Sequence, residues 1–339
     1  PWQLYQTTGN TAIFKQQYDS MKRWCNYIIT TAERRRGNRK LPKEVDRYLW
    51  NTGFHFGDWL IPSLSKDGYN YVQLLKQIVA TRQFTAPIFG WYSVSSFAVI
   101  AELLGKAEDA AYYREIADKM KAAISYGLID EKGNMPVNLM GAYVLPLYFD
   151  LVPKEHKKHF GEHLVKMIHD NGGCLDTGFL GTPFLLDALC KAGYRDEAYK
   201  LLYQEKCPSW LYEVKMGATT IWESWYSFRE DGTPMRMSLN HYAFGCVDTW
   251  MFRYIAGMDR LKPGFREILI QPRPDNSLTY AKRSYFCEFG LIETDWHKNG
   301  NRFDLTVTVP CNTTALIVLP SGEKYRVGSG TYSYSCEVD

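Results

Sequence analysis

The sequence lacks a large charge excess of either sign and a long block of basic residues. Its formal net charge is +3, and its one basic run, "ERRRGNRK" at 33–40, has no aromatic residues between its charges. Nucleic-acid surfaces usually cluster Lys and Arg, often beside aromatic residues on which bases stack. We therefore expect no nucleic-acid partner and interpret this run as the solvated end of a helix.

Long apolar runs and paired cysteines are also absent. No uninterrupted apolar stretch reaches the roughly 18 residues that cross a bilayer, so we expect no membrane partner. The 8 cysteines are scattered, without a CxxC pair or the spacing of a metal site. Most have apolar sequence neighbours, which favours buried free thiols over a disulfide framework.

Nucleotide and nucleophile motifs are missing as well. The chain has no P-loop, no GxGxxG after a predicted strand and no GxSxG elbow, and we expect no organic cofactor. It has no repeat of fixed length, which disfavours a helical solenoid that scaffolds other proteins. His156, His159 and His163 share one helical face, but the surrounding "KEHKKH" indicates a solvated basic surface, so we expect no metal.

Aromatic residues, in contrast, are abundant, with 10 Trp and 24 Tyr. Aromatic rings suit the apolar faces of sugars as well as protein cores. With 339 residues, the chain is long enough for one large and one smaller domain. Residues 1–257 show helical periodicity between Gly and Pro breaks, which predicts hairpins of helices at 11–34, 69–82, 91–104, 107–125, 139–150, 154–169, 179–192, 195–205 and 240–256.

The pattern changes near Met258. Short segments such as "FREILIQPRP", "RFDLTVTVP", "TTALIVLP" and "TYSYSCEV" alternate apolar and polar residues and end at Pro or Gly. This alternation predicts antiparallel strands with one buried face. We predict a mainly helical domain over 1–257 and a small β-sandwich over 258–339. The "NTT" at 312–314 matches a glycosylation pattern but fits a turn between two of these strands.

The stretch "GATTIWESW" at 217–225 places Glu223 between Trp222 and Trp225. A carboxyl group buried against aromatic rings generally has a raised pKa, which is typical of general acids and bases. The structural alternative is a buried ion pair, for which Lys215 and Arg229 are the nearest basic residues in the sequence.

Two further segments combine polar and aromatic side chains. In "GFHFGDWL" at 53–60, Asp58 is either a helix N-cap or a carboxylate that accepts hydrogen bonds from sugar hydroxyls, beside Trp59. In "SLNHYAFG" at 238–245, Asn240 can cap a helix and His241 lies in its first turn. The helix dipole there favours a neutral imidazole, which serves either the core or a ligand.

The order of these segments resembles that of the bacterial α-L-rhamnosidases. The resemblance includes "PWQLYQTTGN", "MKRWCNYI", "GDWL", "TGFLGTPFLL", "GATTIWESW" and "SLNHYAFG", and "PGFREILIQPRP" and "TVTVPCNTTALIVLP" resemble the C-terminal sandwich. It implies an (α/α)6 toroid followed by a small antiparallel β-sandwich. It also implies inverting hydrolysis of terminal α-L-rhamnose from a glycoside or polysaccharide, with Glu223 as general base. By the same resemblance Asp58 holds sugar hydroxyls, His241 contacts the sugar, and Trp59 and Trp222 form its walls.

One part of the family pattern has no counterpart here. The family's general acid lies in a "DCPQRDERxGW"-like segment, so the resemblance implies a C-terminal fragment whose acid lies upstream of Pro1 and whose toroid is incomplete. Two alternatives stay open: a glycosidase of the same fold with another sugar specificity, and a carbohydrate-binding protein without catalysis. Oligomeric state and cellular compartment stay unpredicted.

Overall fold

The computed structural model describes residues 1–34, 41–65, 71–228 and 231–338. Most of the basic run at 33–40 lies outside these ranges. The chain forms two compact units, one of Asp19–Cys246 and one of Pro1–Tyr18 with Val247–Asp339. The N-terminal segment therefore belongs to the unit that contains the strands. The predicted domain boundary after residue 257 stays a prediction.

The described residues form twelve α-helices. Their bounds are α1 Trp2–Thr8, α2 Ala12–Arg34, α3 Lys43–Asp46, α4 Pro62–Ser65, α5 Tyr71–Leu103, α6 Ala107–Leu128, α7 Met140–Tyr148, α8 Lys157–Asp170, α9 Thr182–Lys191, α10 Arg195–Leu202, α11 Trp210–Lys215 and α12 Val247–Trp250. The predicted helix at 240–256 is wrong as one regular element, since a 3-10 turn Ala243–Cys246 and a π-helix Met251–Ile255 flank α12.

One long helix, α5, replaces the two helices predicted at 69–82 and 91–104. Pro87 lies inside it, although an interior proline costs about 3 kcal/mol. The residues around Pro87 are buried, with Phe84 and Ile88 at 0% exposure. Phe97 also meets Tyr113 of α6 edge-on, at 4.8 Å between ring centroids. Burial against neighbouring helices therefore outweighs the local helix-breaking signal.

The helix α5 is also apolar enough, over Val72–Leu103, to cross a membrane by length and composition. No uninterrupted run in the sequence indicates this, because polar residues interrupt it. In the structure 61% of its most apolar window is buried, as in the core helix of a globular unit. Val72, Leu75 and Val79 on its surface are exposed.

Helices within Asp19–Cys246 contact their sequence neighbours as antiparallel hairpins, including α5 with α6, α7 with α8 and α9 with α10. The hairpin arrangement predicted from the sequence is confirmed. The helix α7 is central, and its residues from Met140 to Leu147 are all buried. A hydrogen bond from Tyr113 to Asn26 Oδ1, at 2.7 Å, joins α6 to α2.

The other unit contains two four-stranded sheets. Their strands are β1 Met258–Arg260, β2 Glu267–Ile270, β3 Tyr280–Cys287, β4 Gly290–Asn299, β5 Arg302–Val309, β6 Thr314–Val318, β7 Lys324–Val327 and β8 Gly330–Glu337. The first sheet has the order β1-β2-β6-β7 and the second β3-β4-β5-β8. Each has one buried face, to which Ile268 and Ile317 contribute in the first and Trp296 and Phe303 in the second.

The sheets differ from the prediction in one pairing. All pairs are antiparallel except β2 with β6, which run parallel with Ile268 opposite Ala315. The purely antiparallel assignment is therefore wrong at this pair, because the three intervening strands β3, β4 and β5 lie in the other sheet and β2 and β6 become neighbours. All 8 cysteines are free, but only Cys25 and Cys174 are buried, so the expectation of mostly buried thiols is wrong.

Candidate active site

Glu223 lies in an irregular segment and is partly exposed. Its backbone N–H donates to Ser238 O at 2.9 Å, and its Oε2 accepts the Ser238 N–H at 2.9 Å. The nearby His241 N–H donates to Ile221 O at 2.8 Å. These bonds hold the segment that carries Glu223 against the segment that carries His241.

The two indoles beside Glu223 belong to the core. Trp222 is 3% and Trp225 1% exposed. The Trp222 ring meets Phe228 at 4.9 Å, and Trp225 stacks on Phe244 at 4.3 Å. Glu223 is partly exposed, in contrast to the two buried rings beside it. The structure gives Trp222 no open face for a sugar, contrary to the wall role expected for it.

The ion-pair alternative for Glu223 finds no support in the part of the chain that the structure describes. Lys215 pairs with Glu205, and Arg229 lies outside the described residues. Within the described ranges, Glu223 Oε1 accepts no hydrogen bond. One carboxylate oxygen is therefore fixed by the backbone and the other is available.

His241 lies beside Phe179, its ring stacked on the phenyl ring at 5.1 Å. Its Nδ1 accepts the N–H of Ala243 at 3.3 Å. His241 itself, rather than Asn240 as predicted, thus caps the short 3-10 turn that follows. A neutral imidazole that accepts at Nδ1 carries its proton on Nε2 and can donate there.

Asp58 is fully buried, at 0% exposure. Its Oδ1 accepts the N–H groups of Leu180 at 2.9 Å and Gly181 at 2.8 Å, and its Oδ2 accepts that of Gly178 at 3.1 Å. Burial raises the pKa of Asp58 to about 6, against the opposing effect of these three bonds. Asp58 is enclosed and both of its oxygens accept backbone N–H groups, so the structure supports a role in holding this backbone, and the predicted contact with sugar hydroxyls stays a prediction. The N-cap alternative is wrong, because no helix begins at Asp58.

Two glycines allow the Asp58 segment to approach its neighbours closely, Gly57 against α5 and Gly178 in the 177–181 segment. Gly57 has a φ of +67°, and a Cβ there would lie 1.9 Å from Thr81 Oγ1. At Gly178 a Cβ would lie 2.1 Å from the carbonyl oxygen of Trp59. A side chain at Gly57 would push the Asp58 segment away from α5, and one at Gly178 would separate it from the 177–181 segment.

An apolar pocket of about 650 Å³ opens between these segments. Its lining includes His55, Phe56, Trp59, Phe89 and Phe179. Phe56 meets Trp59 edge-on at 5.5 Å. Trp59 thus faces a cavity, in contrast to Trp222, and the predicted wall role of Trp59 stays a prediction.

The structure joins the three sequence segments through the 177–181 segment. Phe179 N–H donates to Trp59 O at 2.8 Å, and the Phe179 ring stacks on His241. His241 is bonded in turn to Ile221, two residues before Glu223. Asp58, Trp59, His241 and Glu223 therefore belong to one connected group of loops.

Sequence reasoning missed three residues of this group: Phe179, Asp176 and Glu213. Asp176 accepts two hydrogen bonds from Ser63, at 2.8 and 2.7 Å, and Glu213 is 2% exposed beside Trp222. "TGFLGTPFLL" contributed to the resemblance, but no residue of it was assigned a role. For Glu213 the sequence gives one weak indication of burial, because Glu213 lies three residues after Trp210 and so shares one face of a short helix with it.

Of the three histidines at 156, 159 and 163, the last two form hydrogen bonds with the adjacent loop. His159 Nε2 lies 3.2 Å from Asn134 Oδ1, and His163 Nε2 lies 2.9 Å from Asn138 Oδ1. Among the residues with described positions, no group of three His, Cys, Asp or Glu side chains is arranged to hold a metal ion.

Comparisons with known proteins agree with this architecture. Residues 1–255 match the family model of the bacterial alpha-L-rhamnosidase 6 hairpin glycosidase domain, and residues 257–333 match that of the bacterial alpha-L-rhamnosidase C-terminal domain. An alpha-L-rhamnosidase of Streptomyces avermitilis is 34% identical over 330 residues, which cover 96% of this chain and 29% of that protein. The chain spans about a third of the length of the curated relatives it matches.

Solved structures show the same relationship. The crystal structure of Streptomyces avermitilis alpha-L-rhamnosidase complexed with L-rhamnose superposes with a TM-score of 0.86 at 30% identity, over 99% of this chain and 32% of that one. The alpha-L-rhamnosidase of Aspergillus terreus superposes with a TM-score of 0.84 at 33% identity, over 99% and 38% of the two chains. With a six-hairpin helical region and a C-terminal β domain that both match, the chain belongs to the bacterial alpha-L-rhamnosidase family.

Proposed function

We propose that this chain supplies the general base and part of the sugar site of an inverting α-L-rhamnosidase. The observation that carries the proposal is the setting of Glu223. Its Oε2 is fixed by the Ser238 N–H, and its Oε1 accepts no hydrogen bond from the described residues. A carboxylate held in this way can take a proton from water as the water attacks the anomeric carbon.

The pocket beside Trp59 suits the apolar parts of a deoxy sugar. Aromatic rings pack on the C–H faces of pyranose rings, and the methyl group of rhamnose adds apolar surface. The pocket is large enough for a monosaccharide, at about 650 Å³. Trp59 and Phe179 form its sugar-facing walls in this proposal, while Trp222 supports the loop from the core.

His241 and Asp58 have different parts in the proposal. His241, stacked on Phe179, donates from Nε2 to a sugar hydroxyl. Asp58 orients the 178–181 backbone from inside the fold, because its buried oxygens accept three N–H groups there. Inversion also requires a general acid about 6.5–9.5 Å from the base. We assign it to neither Asp58 nor Glu213, since both are buried and bonded to the backbone.

The test is Glu223→Gln in the longest natural protein that contains this chain. With p-nitrophenyl α-L-rhamnopyranoside, kcat should fall by about 10²–10⁴, the usual contribution of a general base. The thermal melting curve should stay unchanged. Wild-type kcat in a destabilised variant would show that Glu223 is a structural acid.

The substrate class and stereochemistry need their own measurements. A panel of nitrophenyl glycosides should show rhamnoside as the preferred substrate, and early ¹H NMR spectra should show β-L-rhamnose as the first product. Preference for another pyranoside would overturn the sugar assignment, and α-L-rhamnose as first product would overturn inversion. Binding of L-rhamnose without any turnover would indicate the non-catalytic alternative.

A further inference from the structure

Glu213 is a buried acid that the proposed mechanism does not use. It lies on the short helix α11, which begins after Ser209, whose hydroxyl accepts the Tyr212 N–H at 3.1 Å. Glu213 is only 2% exposed. Burial raises its pKa to about 7, with a hydrogen bond from Trp222 acting in the opposite direction. Burial of a carboxyl group costs free energy unless the group is hydrogen-bonded.

The contacts of Glu213 are with the segment that leads to Glu223. Its backbone carbonyl accepts the N–H of Ala218 at 3.0 Å. Its Oε2 accepts the N–H of Trp222 at 3.2 Å. One residue therefore clamps both ends of the 218–222 segment, and Oε1 has no hydrogen-bond partner among the described residues.

The clamp acts immediately before Glu223. On one side, Trp222 N–H is held by Glu213, and on the other, Glu223 exchanges two hydrogen bonds with Ser238. The Trp222 ring lies in the core against Phe228, so the backbone at 222 has little freedom to move. A small shift there would move the Glu223 carboxylate by a similar distance.

We propose that Glu213 is a positioning residue for Glu223: by accepting the Trp222 N–H, it fixes the backbone from which the general base reaches water. This inference rests on the proposed role of Glu223. It assigns Glu213 no contact with the sugar. Its effect is expected on the chemical step rather than on substrate binding, because near 1 Å of misplacement can cost about 10²-fold in rate.

The test compares three substitutions in the longest natural protein that contains this chain. Glu213→Gln keeps an acceptor oxygen for Trp222, Glu213→Asp withdraws it by one methylene, and Glu213→Leu removes it. The control is Glu205→Leu, which removes a glutamate of the preceding loop whose side chain is 56% exposed and pairs with Lys215 of α11. For each variant, kcat and KM on the nitrophenyl rhamnoside are measured beside Glu223→Gln.

We expect Glu213→Asp and Glu213→Leu to lower kcat by about 10-fold to 10²-fold with KM nearly unchanged. Glu213→Gln should restore most of kcat, and Glu205→Leu should match the wild type. If Glu213→Leu does not fold, the difference in kcat between Glu213→Asp and Glu213→Gln tests the inference.

Three results would overturn the inference. Equal kcat for the Asp, Gln and wild-type proteins would show that the clamp has no effect on the base. A rise in KM at constant kcat would place Glu213 in substrate binding instead. Full activity of Glu223→Gln would remove the base assignment, and this inference would fall with it. If Glu223→Gln loses activity while the kcat of Glu213→Asp equals that of the wild type, the base assignment stands and only the inference about Glu213 falls.

Discussion

Asp58 and Gly181 lie 123 residues apart in the sequence, and the Gly181 N–H donates to Asp58 Oδ1 at 2.8 Å. The same oxygen accepts the Leu180 N–H, and Oδ2 accepts that of Gly178. One side chain thus satisfies three backbone donors of the loop that precedes α9. Helix starts usually find such acceptors within their own sequence, so this loop depends on a distant residue.

Substitution of Asp58 should therefore lower stability strongly. Asp58→Ala leaves three N–H groups without an acceptor, those of Gly178 and Gly181 buried and that of Leu180 partly buried. At about 1–3 kcal/mol for each, we expect a loss of more than about 3 kcal/mol in the free energy of unfolding. Asp58→Asn keeps one acceptor oxygen and should lose less. Urea denaturation of this chain measures both.

Asp176→Ala is the matched control for Asp58→Ala. Asp176 accepts both of its side-chain hydrogen bonds from the single residue Ser63, and it is only partly buried. Asp176→Ala should therefore lower the free energy of unfolding clearly less than Asp58→Ala does. Equal losses for the two alanine variants would contradict a special role for the bonds to the 178–181 backbone.

Gly178→Ala tests the close approach of two backbones. The added Cβ would lie 2.1 Å from Trp59 O, which no rotamer can relieve, so the 177–181 segment must move away from Trp59. We expect a lower melting temperature and weaker protection of the Phe179 amide, which donates to Trp59 O, in hydrogen exchange. Gly328→Ala is the control, because φ at Gly328 is not left-handed and a Cβ there would meet nothing within 4 Å. Unchanged protection of Phe179 would contradict the packing argument.

Trp59 and Trp222 form a matched pair of indoles with opposite surroundings. Trp59→Ala should raise KM for a rhamnoside with little loss of stability, because Trp59 lines an open pocket. Trp222→Ala should cost about 3–5 kcal/mol, since the ring is buried. Melting curves and steady-state kinetics separate the two effects. A stability loss at Trp59 equal to that at Trp222 would remove the pocket interpretation.

The pH dependence of stability should show the buried acid Glu213. Its pKa is raised from 4.5 to about 7 in the folded chain. The unfolded chain therefore loses this proton first as the pH rises, and the stabilising contribution, complete below pH 4.5, disappears as the pH approaches 7.

Glu213→Gln, which cannot ionise, should therefore gain stability relative to the wild type as the pH rises from 5 to 8, by up to about 3 kcal/mol. Denaturant midpoints measured at intervals across this range give the difference. A constant difference between the two proteins would show that Glu213 does not titrate in this range.

Sequence patterns predicted the helices whose ends have strong local signals. The helices α2 and α6 were predicted to within a few residues, because periodic apolar positions and clear breaks delimit them. The prediction left residues 83–90 of α5, which include Pro87, between two helices, since the sequence does not show that Phe84 and Ile88 are buried. Local signals and tertiary packing disagree there, and packing decides.

The candidate site was predictable in its members but not in their surroundings. Adjacent rings and acids singled out Glu223, Asp58 and His241, and the structure places all three in connected loops. The sequence could not show that Trp222 faces the core while Trp59 faces a pocket. It also gave no indication that Glu213 lies beneath the Trp222 amide, because this contact depends on the fold of an irregular segment.

The segment that carries Glu223 is joined to the segment that carries His241 by bonds in which main-chain groups predominate, including Glu223 N–H to Ser238 O and His241 N–H to Ile221 O. Every amino acid except proline provides these donors and acceptors. Substitution of Ile221 or Ser238 by another residue with a main-chain N–H should therefore keep these bonds. Under the proposed function, the spacing between base and imidazole is therefore set by the main chain, and outward-facing side chains can be exchanged without altering it.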